Sequence, residues 1–346
     1  MPHQPRGPIS SVATLDDLLS EPTPRVVESM RHASGDLVVL GAGGKMGPTL
    51  ARMAQRAAMA VGIPRQVIAV SRFTNVGQRE SLETHGVRTV ACDLLDARAV
   101  DSLPDAADVI FMAGMKFGAS GQPWLTWAEN CLLPAAVCER YAGSRLAAFS
   151  TGNVYGLVPA GTGGSSEADE PRPQGEYAMS CLGRERIVEY VSRRNGTRAV
   201  LLRLNYACEL RYGVLADIAR RVAAGEPVDV TMGHLNVIWQ GDASAMAICA
   251  LEYAASPPRV LNIAGADELS VRTLAEAFAR RLGRSARFTG SEAPDALLSS
   301  GRQAIDLLGA PGTPLDRMID WIADWVRSGG ATLGKPTRFD VRDGRF

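Results

Sequence analysis

The 346-residue sequence predicts a doubly wound α/β fold, in which helices cover both faces of a parallel sheet. Short apolar segments of strand length alternate with helical segments through the first 151 residues, and continuous apolar content is typical of strands buried on both faces. The first strand, 37–40, ends in a glycine-rich turn that a helix follows directly. This order predicts that ligands bind at the carboxyl ends of the strands.

The glycine-rich turn, 41–47, has the features of a phosphate-binding loop. Gly41 lets the chain leave the strand, Gly44 lets the backbone approach a pyrophosphate, and Gly47 permits close packing of helix on strand. Backbone N–H groups and the positive end of the helix dipole then face the anion. The predicted cofactor-binding residues of this loop are Gly41, Gly43, Gly44, Lys45, Met46 and Gly47.

The second strand, 66–72, ends where the adenosine ribose of a dinucleotide is expected. A carboxylate at this position would bind the ribose 2′-hydroxyl, whereas Ser71 and Arg72 offer a hydroxyl and a guanidinium suited to a 2′-phosphate. We therefore favour NADP as the cofactor. Since an arginine at a strand end is also compatible with a solvated side chain, NAD stays open.

Three further strands are predicted at 87–94, 109–114 and 146–151. The third ends at Asp93 and Leu94, which we expect beside the adenine. The fourth ends at Ala113 and Gly114, immediately before Lys116, and a helix over 123–141 separates it from the fifth strand. Because parallel strands end at the same edge of the sheet, these residues are predicted to face one cofactor.

Composition limits the classes of partner. The sequence has 37 basic and 37 acidic residues and no apolar run of about 20 residues, so it has neither a basic surface for nucleic acid nor a membrane span. Its six cysteines form no C-x-x-C pair and have no cluster of histidines nearby, which predicts reduced thiols and no metal site. We expect a cytoplasmic protein that binds small molecules.

Motifs further along the chain, together with the glycine loop, resemble the extended short-chain dehydrogenase/reductase family. Within that family the sequence is most similar to NAD(P)-dependent sugar epimerases and dehydratases, over about 36–325. The motifs are F-M-A-G-M-K-F-G at 111–118, F-S-T-G-N-V-Y-G at 149–156 and G-E-Y-A-M-S-C-L-G at 175–183. The resemblance implies a Rossmann-type cofactor domain with a smaller, discontinuous C-terminal substrate-binding lobe, and a homodimer formed by the helices after the fourth and fifth strands.

The resemblance also divides the chain into segments. We predict a surface N-terminal extension packed on the domain edge and a charged C-terminal tail to which no role is assigned. The predicted boundaries are 1–34 for the extension, 35–204 and 236–263 for the NAD(P)-binding domain, 205–235 and 264–330 for the substrate lobe, and 331–346 for the tail.

The resemblance implies roles for individual residues around the reacting carbon. Thr151 corresponds to the family's serine or threonine that hydrogen-bonds the reacting hydroxyl or carbonyl. Tyr177 corresponds to the tyrosine that takes the proton as hydride leaves for the nicotinamide. Asn130 corresponds to an asparagine that shapes the site, and Asn205 to one that meets the substrate, with Asn153 as a further predicted substrate contact.

The sequence departs from the family at Cys181, where the pattern has a lysine four residues after the tyrosine. That lysine holds the nicotinamide ribose and lowers the tyrosine pKa from its ordinary value of about 10, whereas a neutral thiol does neither. Lys116 and Arg184 are the two alternative sources of positive charge, and the sequence does not choose between them. The predicted catalytic set comprises Thr151, Tyr177, Cys181, Asn130 and Lys116.

A second departure concerns the substrate. Nucleotide-sugar enzymes of the family have an arginine for the diphosphate where this sequence has Leu235. We therefore expect an oxidoreductase or epimerase that transfers hydride at a hydroxyl-bearing carbon of a free sugar or sugar acid, with His234, Trp239 and Gln240 in the pocket. A nucleotide-sugar epimerase or dehydratase is one alternative. A catalytically impaired cofactor-binding sensor or scaffold is the other.

Overall fold

The computed structural model of the protein describes residues 7–116, 118, 119, 121–335 and 337–345. Residues 1–6 of the predicted extension, Phe117 of the fourth-strand motif, and Pro336 and Phe346 of the tail therefore lie outside the described residues. The strands, in chain order, are β1 Leu37–Leu40, β2 Val67–Ser71, β3 Arg88–Ala91, β4 Asp108–Phe111, β5 Arg145–Thr151, β6 Val158–Pro159, β7 Arg198–Leu204, β8 Ala207–Cys208, β9 Val228–Asp229, β10 His234–Leu235, β11 Ile238–Trp239, β12 Arg259–Ile263, β13 Leu269–Ser270, β14 Phe288–Thr289 and β15 Asp295–Ala296.

Helices connect and cover these strands. They are α1 Val12–Leu19, α2 Pro24–Arg31, α3 Gly47–Val61, α4 Val76–Thr84, α5 Ala97–Asp101, α6 Pro123–Trp127, α7 Leu133–Arg140, α8 Gly175–Asn195, α9 Val214–Ala224, α10 Gln240–Cys249, α11 Val271–Leu282, α12 Arg302–Leu308 and α13 Leu315–Arg327. Ser270 is the N-cap of α11 and accepts a hydrogen bond from the Thr273 backbone N–H.

The central sheet is parallel and has the strand order β12-β7-β5-β4-β1-β2-β3. The order reverses between β1 and β4, which is where a doubly wound sheet forms its ligand crevice. The predicted doubly wound α/β fold is confirmed, and β12 pairs with β7 at one edge of the sheet. From the sequence no strand is predicted at β7, which immediately precedes Asn205, the predicted substrate contact.

Separate apolar cores lie on the sheet and in the second lobe. Apolar side chains on the two faces of the sheet pack against the flanking helices, and burial of such surfaces supplies most of the favourable free energy of folding. In the second lobe, α9, α11 and α13 pack on one another around a further core that includes Phe278 and Trp321. The cleft between the sheet edge and this lobe contains the candidate site described below.

The N-terminal segment is part of these cores, contrary to the predicted surface extension. Leu15 and Leu19 of α1 are fully buried in the core of the second lobe, and Val26 and Met30 of α2 are buried against the sheet's helices. Only long-range packing shows this, because eight-residue helices with a single apolar face look alike whether they lie on a surface or in a core.

Two further observations concern membrane-spanning helices and metal sites. No helix in the described ranges is both long and apolar enough to cross a membrane, and those ranges contain no group of three or more histidine, cysteine or acidic side chains that could hold a metal ion. All six cysteines are free thiols.

Candidate functional site

A pocket of about 270 Å³ opens at the carboxyl ends of β1, β4, β5 and β7. It brings together residues that are distant in the sequence, from the glycine loop, the segment after β4, the end of β5, α8 and the second lobe. Of the predicted site residues, the pocket is lined by Gly41, Gly44, Lys45, Met46, Gly47, Gly114, Lys116, Asn130, Thr151, Asn153, Tyr177 and Asn205.

The glycine loop has the geometry that a diphosphate requires. A Cβ atom on Gly41 would lie 2.5 Å from the Ala113 backbone nitrogen, and one on Gly47 would lie 2.5 Å from the Ala42 carbonyl oxygen. At the N-terminus of α3 no side chain caps the backbone N–H groups, and Pro48 occupies the first turn. These residues therefore fit the diphosphate of a dinucleotide, which such a helix end binds through backbone N–H groups and the helix dipole.

The residues predicted around the adenosine lie further along the same sheet edge. Ser71 is in contact with the loop, since a Cβ atom on Gly43 would lie 2.4 Å from the Ser71 hydroxyl oxygen. The Arg72 side chain is 60% exposed and its guanidinium is 3.8 Å from the Glu129 carboxylate. Asp93 is exposed, with its carboxylate accepting a hydrogen bond from the Leu95 backbone N–H. Leu94 is buried.

Tyr177 and Thr151 meet at the other end of the pocket. Thr151 is the last residue of β5, and its hydroxyl is hydrogen-bonded to the Tyr177 phenol. The Asn153 amide donates to the Thr151 hydroxyl oxygen at 2.8 Å. Desolvation raises the pKa of Tyr177 well above its ordinary value. The two hydroxyl groups thus form one hydrogen-bonded pair that faces the pocket.

Asn130 ties the segment after β4 to α8. Its amide oxygen accepts from the Met115 backbone N–H at 3.0 Å, while its amide nitrogen donates to the Met115 carbonyl and to the Ser180 hydroxyl. It lies in a π-helical turn, Ala128–Leu132, and such turns are frequent at functional sites. Asn130 therefore fixes the main chain that carries Gly114 and Lys116.

The structure distinguishes the two cations that were alternatives to the missing lysine. Arg184 is buried, and its guanidinium donates to the Phe149 carbonyl and to the Asn130 amide oxygen. The Lys116 amine lies 5.6 Å from the centre of the Tyr177 ring. Arg184 thus holds β5 and the π-helical turn in place, and it also lines the pocket. Desolvation raises the pKa of Tyr177 and the Arg184 charge partly opposes that rise, whereas Lys116 lies over the tyrosine ring.

Burial shifts the pKa values of Lys116 and Cys181 in opposite directions. Desolvation lowers the pKa of Lys116 to about 8, against a smaller opposing effect of Cys181. Burial raises the pKa of Cys181 to about 11, so at neutral pH this side chain is a thiol without charge. Cys181 packs against Val154 and Tyr155, outside the lining of the pocket.

A buried ion pair lies directly beneath the reacting end of the pocket. The Arg203 guanidinium of β7 donates to both carboxylate oxygens of Glu185 on α8, at 2.9 and 2.6 Å. The Ser150 hydroxyl of β5 donates to the same carboxylate at 2.5 Å. Since Ser150 precedes Thr151, Arg203 lies two residues before Asn205 and Glu185 shares α8 with Tyr177, this cluster holds the three elements in register.

Three of the predicted substrate residues do not line the pocket. Trp239 is buried against Trp321, with ring centres 5.5 Å apart, and Gln240 is fully buried and donates to the Thr49 hydroxyl at 3.2 Å. Because the side chains of Trp239 and Gln240 are buried in contacts within the protein, the structure argues against the predicted substrate contacts. His234 lies in β10, which pairs with β13, outside the lining of the pocket.

Other residues line the pocket that sequence reasoning did not identify, among them Tyr206, Tyr212 and Thr337. Tyr206 has a left-handed backbone, with φ 39°, a conformation that costs a non-glycine residue about 1–3 kcal/mol and is concentrated at functional sites. Thr337 belongs to the tail, and its hydroxyl donates to the Asp217 carboxylate at 2.6 Å. No local signal marks these positions.

The sheet, the glycine loop and the Tyr177–Thr151 pair define an enzyme of the short-chain dehydrogenase/reductase type. The chain belongs to the NAD dependent epimerase/dehydratase family, whose model matches residues 37–264. The predictions of this family and of an enzyme are thereby confirmed. No curated protein sequence matches the chain significantly.

Solved structures of similar fold are sugar-nucleotide epimerases. One is a UDP-glucose 4-epimerase of Thermotoga maritima with UDP-glucose, at 19% identity and a TM-score of 0.71 over 85% of this chain and 99% of that chain. Another is a Thermus thermophilus UDP-glucose 4-epimerase with NAD, at 22% identity and 0.68 over 86% and 100%. A third is a Bacillus cereus UDP-glucuronic acid 4-epimerase with UDP-glucuronic acid and NAD, at 19% and 0.70 over 84% and 98%.

Proposed function

We propose that the protein is an NAD(P)-dependent oxidoreductase or epimerase that acts at a hydroxyl-bearing carbon of a sugar or sugar-derived substrate. The observation that carries this proposal is the hydrogen-bonded Tyr177–Thr151 pair, which faces the same pocket as the glycine loop. Similar structures that contain NAD and UDP-sugars support the substrate class.

The residues of this chain divide the chemistry between them. When bound at the glycine loop, a nicotinamide cofactor supplies a hydride acceptor. Thr151 donates a hydrogen bond to the reacting oxygen and orients it, and Tyr177 exchanges its proton with that oxygen. Lys116 places positive charge beside the phenol, as the lysine that Cys181 replaces would have done. Asn130 and Arg184 position these groups without touching the reacting atoms.

The experiment that tests this function follows nicotinamide absorbance and sugar configuration together. Purified protein is incubated with NAD or NADP and, in turn, with neutral sugars, sugar acids, sugar phosphates and UDP-sugars. We expect at least one substrate to give either reduced nicotinamide or an inverted carbon detected by NMR. Cofactor binding with neither change across the whole panel would instead support the sensor or scaffold alternative.

We expect the activity to rise with pH well above neutrality, because the pKa of the Tyr177 phenol is raised by desolvation and the phenol must lose its proton to act as a base. The Lys116 amine, whose pKa desolvation lowers to about 8, stabilises a phenolate only while it is itself protonated. Lys116→Met removes the cation and leaves Tyr177 with its raised pKa. The variant should therefore reach half-maximal kcat at least one pH unit higher, as measured by a pH–rate profile.

The matched control for that profile is Lys335→Met, which makes the same change at an exposed lysine of the tail. Its profile should coincide with that of the unmodified protein. The charged or titratable groups around Lys116 are Tyr177, Cys181 and Lys45. A profile unchanged by Lys116→Met would show that Lys116 does not set the tyrosine's ionisation.

We propose that the cofactor is NADP, with NAD as the alternative that the similar structures support. The exposed Arg72 guanidinium at the end of β2, beside Ser71, carries this proposal. Arg72→Ala should weaken NADP binding by about 10- to 100-fold, the range for a charge-assisted hydrogen bond, and should change NAD binding by less than about twofold.

Titration of nicotinamide fluorescence measures both affinities. Arg186→Ala is the control, because this arginine is similarly exposed, at 62%, but lies on α8 away from β2. Equal losses of NAD and NADP affinity in Arg72→Ala would contradict the proposed preference.

We also propose a homodimer in which α6, the π-helical turn and α8 meet their symmetry copies. These neighbouring elements expose the large apolar side chains of Trp124, Leu132 and Met179, and such a patch is typical of an interface. Sedimentation velocity at micromolar concentration should give a dimer, and Leu132→Arg should give a monomer. A monomeric unmodified protein would overturn this proposal.

A further inference from the structure

Lys45 occupies an unusual position, because it belongs to the glycine loop and yet reaches the second lobe. Its amine donates a hydrogen bond to the Ala207 carbonyl oxygen at 3.1 Å, and it lies 3.8 Å from the centre of the Tyr212 ring. Ala207 and Tyr212 both line the pocket, as Lys45 does. The side chain thus crosses the cleft from the glycine loop to the second lobe.

Within the part of the chain that the structure describes, Lys45 forms no salt bridge, although the negative charge of Glu209 acts on it. The nearby Glu209 carboxylate is bound instead by the Arg211 guanidinium at 3.1 Å and by the Arg211 backbone N–H. A carbonyl oxygen and an aromatic ring use part of the donor capacity of an ammonium group, which has three N–H bonds. A desolvated cation of this kind favours an anionic partner.

The surroundings add to the positive potential. Lys116 lines the same pocket and interacts with Lys45 by charge repulsion, and desolvation lowers the pKa of both amines to about 8. Gly213 and Val214, at the start of the eleven-residue helix α9, line the pocket as well, although the Cys208 thiol accepts hydrogen bonds from the Val214 and Leu215 backbone N–H groups. An anion placed between these groups would relieve the repulsion.

We infer that Lys45 binds an anionic group, a carboxylate or a phosphate, of the sugar-derived substrate. This inference rests on the proposed function and narrows its substrate class to acidic or phosphorylated sugars. The backbone of the glycine loop remains available for the cofactor, since the Lys45 amine is directed away from α3 and toward Ala207. Lys45 would thus supply, from the glycine loop, the positive charge that the sequence lacks at Leu235.

The test measures ligand affinity by titration calorimetry on the full chain saturated with NADH or NADPH. The probes are D-glucose as the neutral reference, D-glucuronate for a carboxylate, D-glucose 6-phosphate for a monophosphate and UDP-glucose for a diphosphate. We expect at least one anionic probe to bind at least tenfold more tightly than D-glucose. Lys45→Met should remove at least tenfold of that preference and should leave the D-glucose and NADH affinities within about twofold.

Two further variants test whether the preference for anions depends on a positive charge at position 45. Lys335→Met removes an exposed lysine and should change no affinity. Lys45→Arg keeps a positive charge that does not titrate below pH 12, so it should retain the preference for anions. In the unmodified protein, affinity for the anionic probe should fall roughly tenfold between pH 7 and pH 9 as the lysines lose protons, and in Lys45→Arg the smaller remaining fall reports Lys116 alone.

Three outcomes would overturn the inference. They are equal affinities for neutral and anionic probes, an anion preference that survives in Lys45→Met, and a loss of NADH affinity in Lys45→Met as large as the loss for the anion. The last would assign the lysine to the cofactor diphosphate. These outcomes are separate from failure of the proposed function, which would appear as no nicotinamide or epimerisation signal with any sugar.

Discussion

Replacing Tyr177 by phenylalanine is expected to lower kcat by about 10²- to 10⁴-fold, the contribution typical of a positioned general acid or base. The phenol is hydrogen-bonded to Thr151 in the pocket, so its loss removes the group that we propose exchanges a proton with the reacting oxygen. Cofactor affinity should change by less than about twofold, because the proposed phosphate site, the glycine loop and the start of α3, does not include the phenol. Steady-state kinetics and a nicotinamide fluorescence titration measure the two quantities.

A second tyrosine on the same helix provides the control. Tyr190→Phe makes the same chemical change on α8 at an exposed position, and it should leave both kcat and cofactor affinity unchanged. If Tyr177→Phe were as active as Tyr190→Phe, the protein would use its pocket for chemistry in which the phenol takes no part.

Replacing Arg203 by methionine is expected to lower the free energy of unfolding by about 3–5 kcal/mol, the usual cost of leaving one partner of a buried ion pair uncompensated. Arg203 and Glu185 are 4% and 2% exposed, so the Glu185 carboxylate would remain buried with only the Ser150 hydroxyl as a hydrogen-bond donor from this cluster. Urea-induced unfolding, followed by far-ultraviolet circular dichroism, measures the change.

Two further variants show whether the loss comes from the uncompensated charge. In Arg203→Met with Glu185→Leu the carboxylate is gone as well, and most of the lost stability should return, because a buried ion pair can often be replaced by apolar side chains. Arg193→Met removes the exposed pair with Glu189 on the same helix and should cost less than about 1 kcal/mol. Equal losses in Arg203→Met and Arg193→Met would contradict the assignment.

The same ion pair explains why β7 escaped prediction. A strand that carries an arginine into the centre of a sheet looks unfavourable from its own residues, since an unpaired buried charge is costly. The compensating carboxylate comes from α8, 18 residues earlier in the chain. Local patterns predicted β1 to β5 because each contains a short apolar run, and the buried Asp108 lies at the first position of β4, before its apolar run begins.

The lysine that is missing from the site is a second case in which local sequence patterns could not identify the compensating residue. The sequence showed that Cys181 leaves Tyr177 without its usual cation and named Lys116 and Arg184 as alternatives. Only the folded chain shows how each is placed: both line the pocket, where Arg184 donates to Phe149 and Asn130 and Lys116 lies over the phenol ring. Sequence spacing alone could not choose between Lys116 and Arg184. Whether Lys116 reaches the tyrosine depends on the path of the segment after β4, and Asn130 holds that segment in place.

By itself the sequence determined the doubly wound sheet, the glycine loop and the order of the motifs that place Thr151 and Tyr177 in one site. These features follow from local physical rules: apolar runs form buried strands, glycines permit close backbone approach, and parallel strands end at one edge. The tertiary structure alone decided that α1 and α2 belong to the cores, that Trp239 and Gln240 are packing residues, and that Thr337 reaches the pocket. Each of these depends on contacts between segments distant in the chain, whose partners no local pattern specifies.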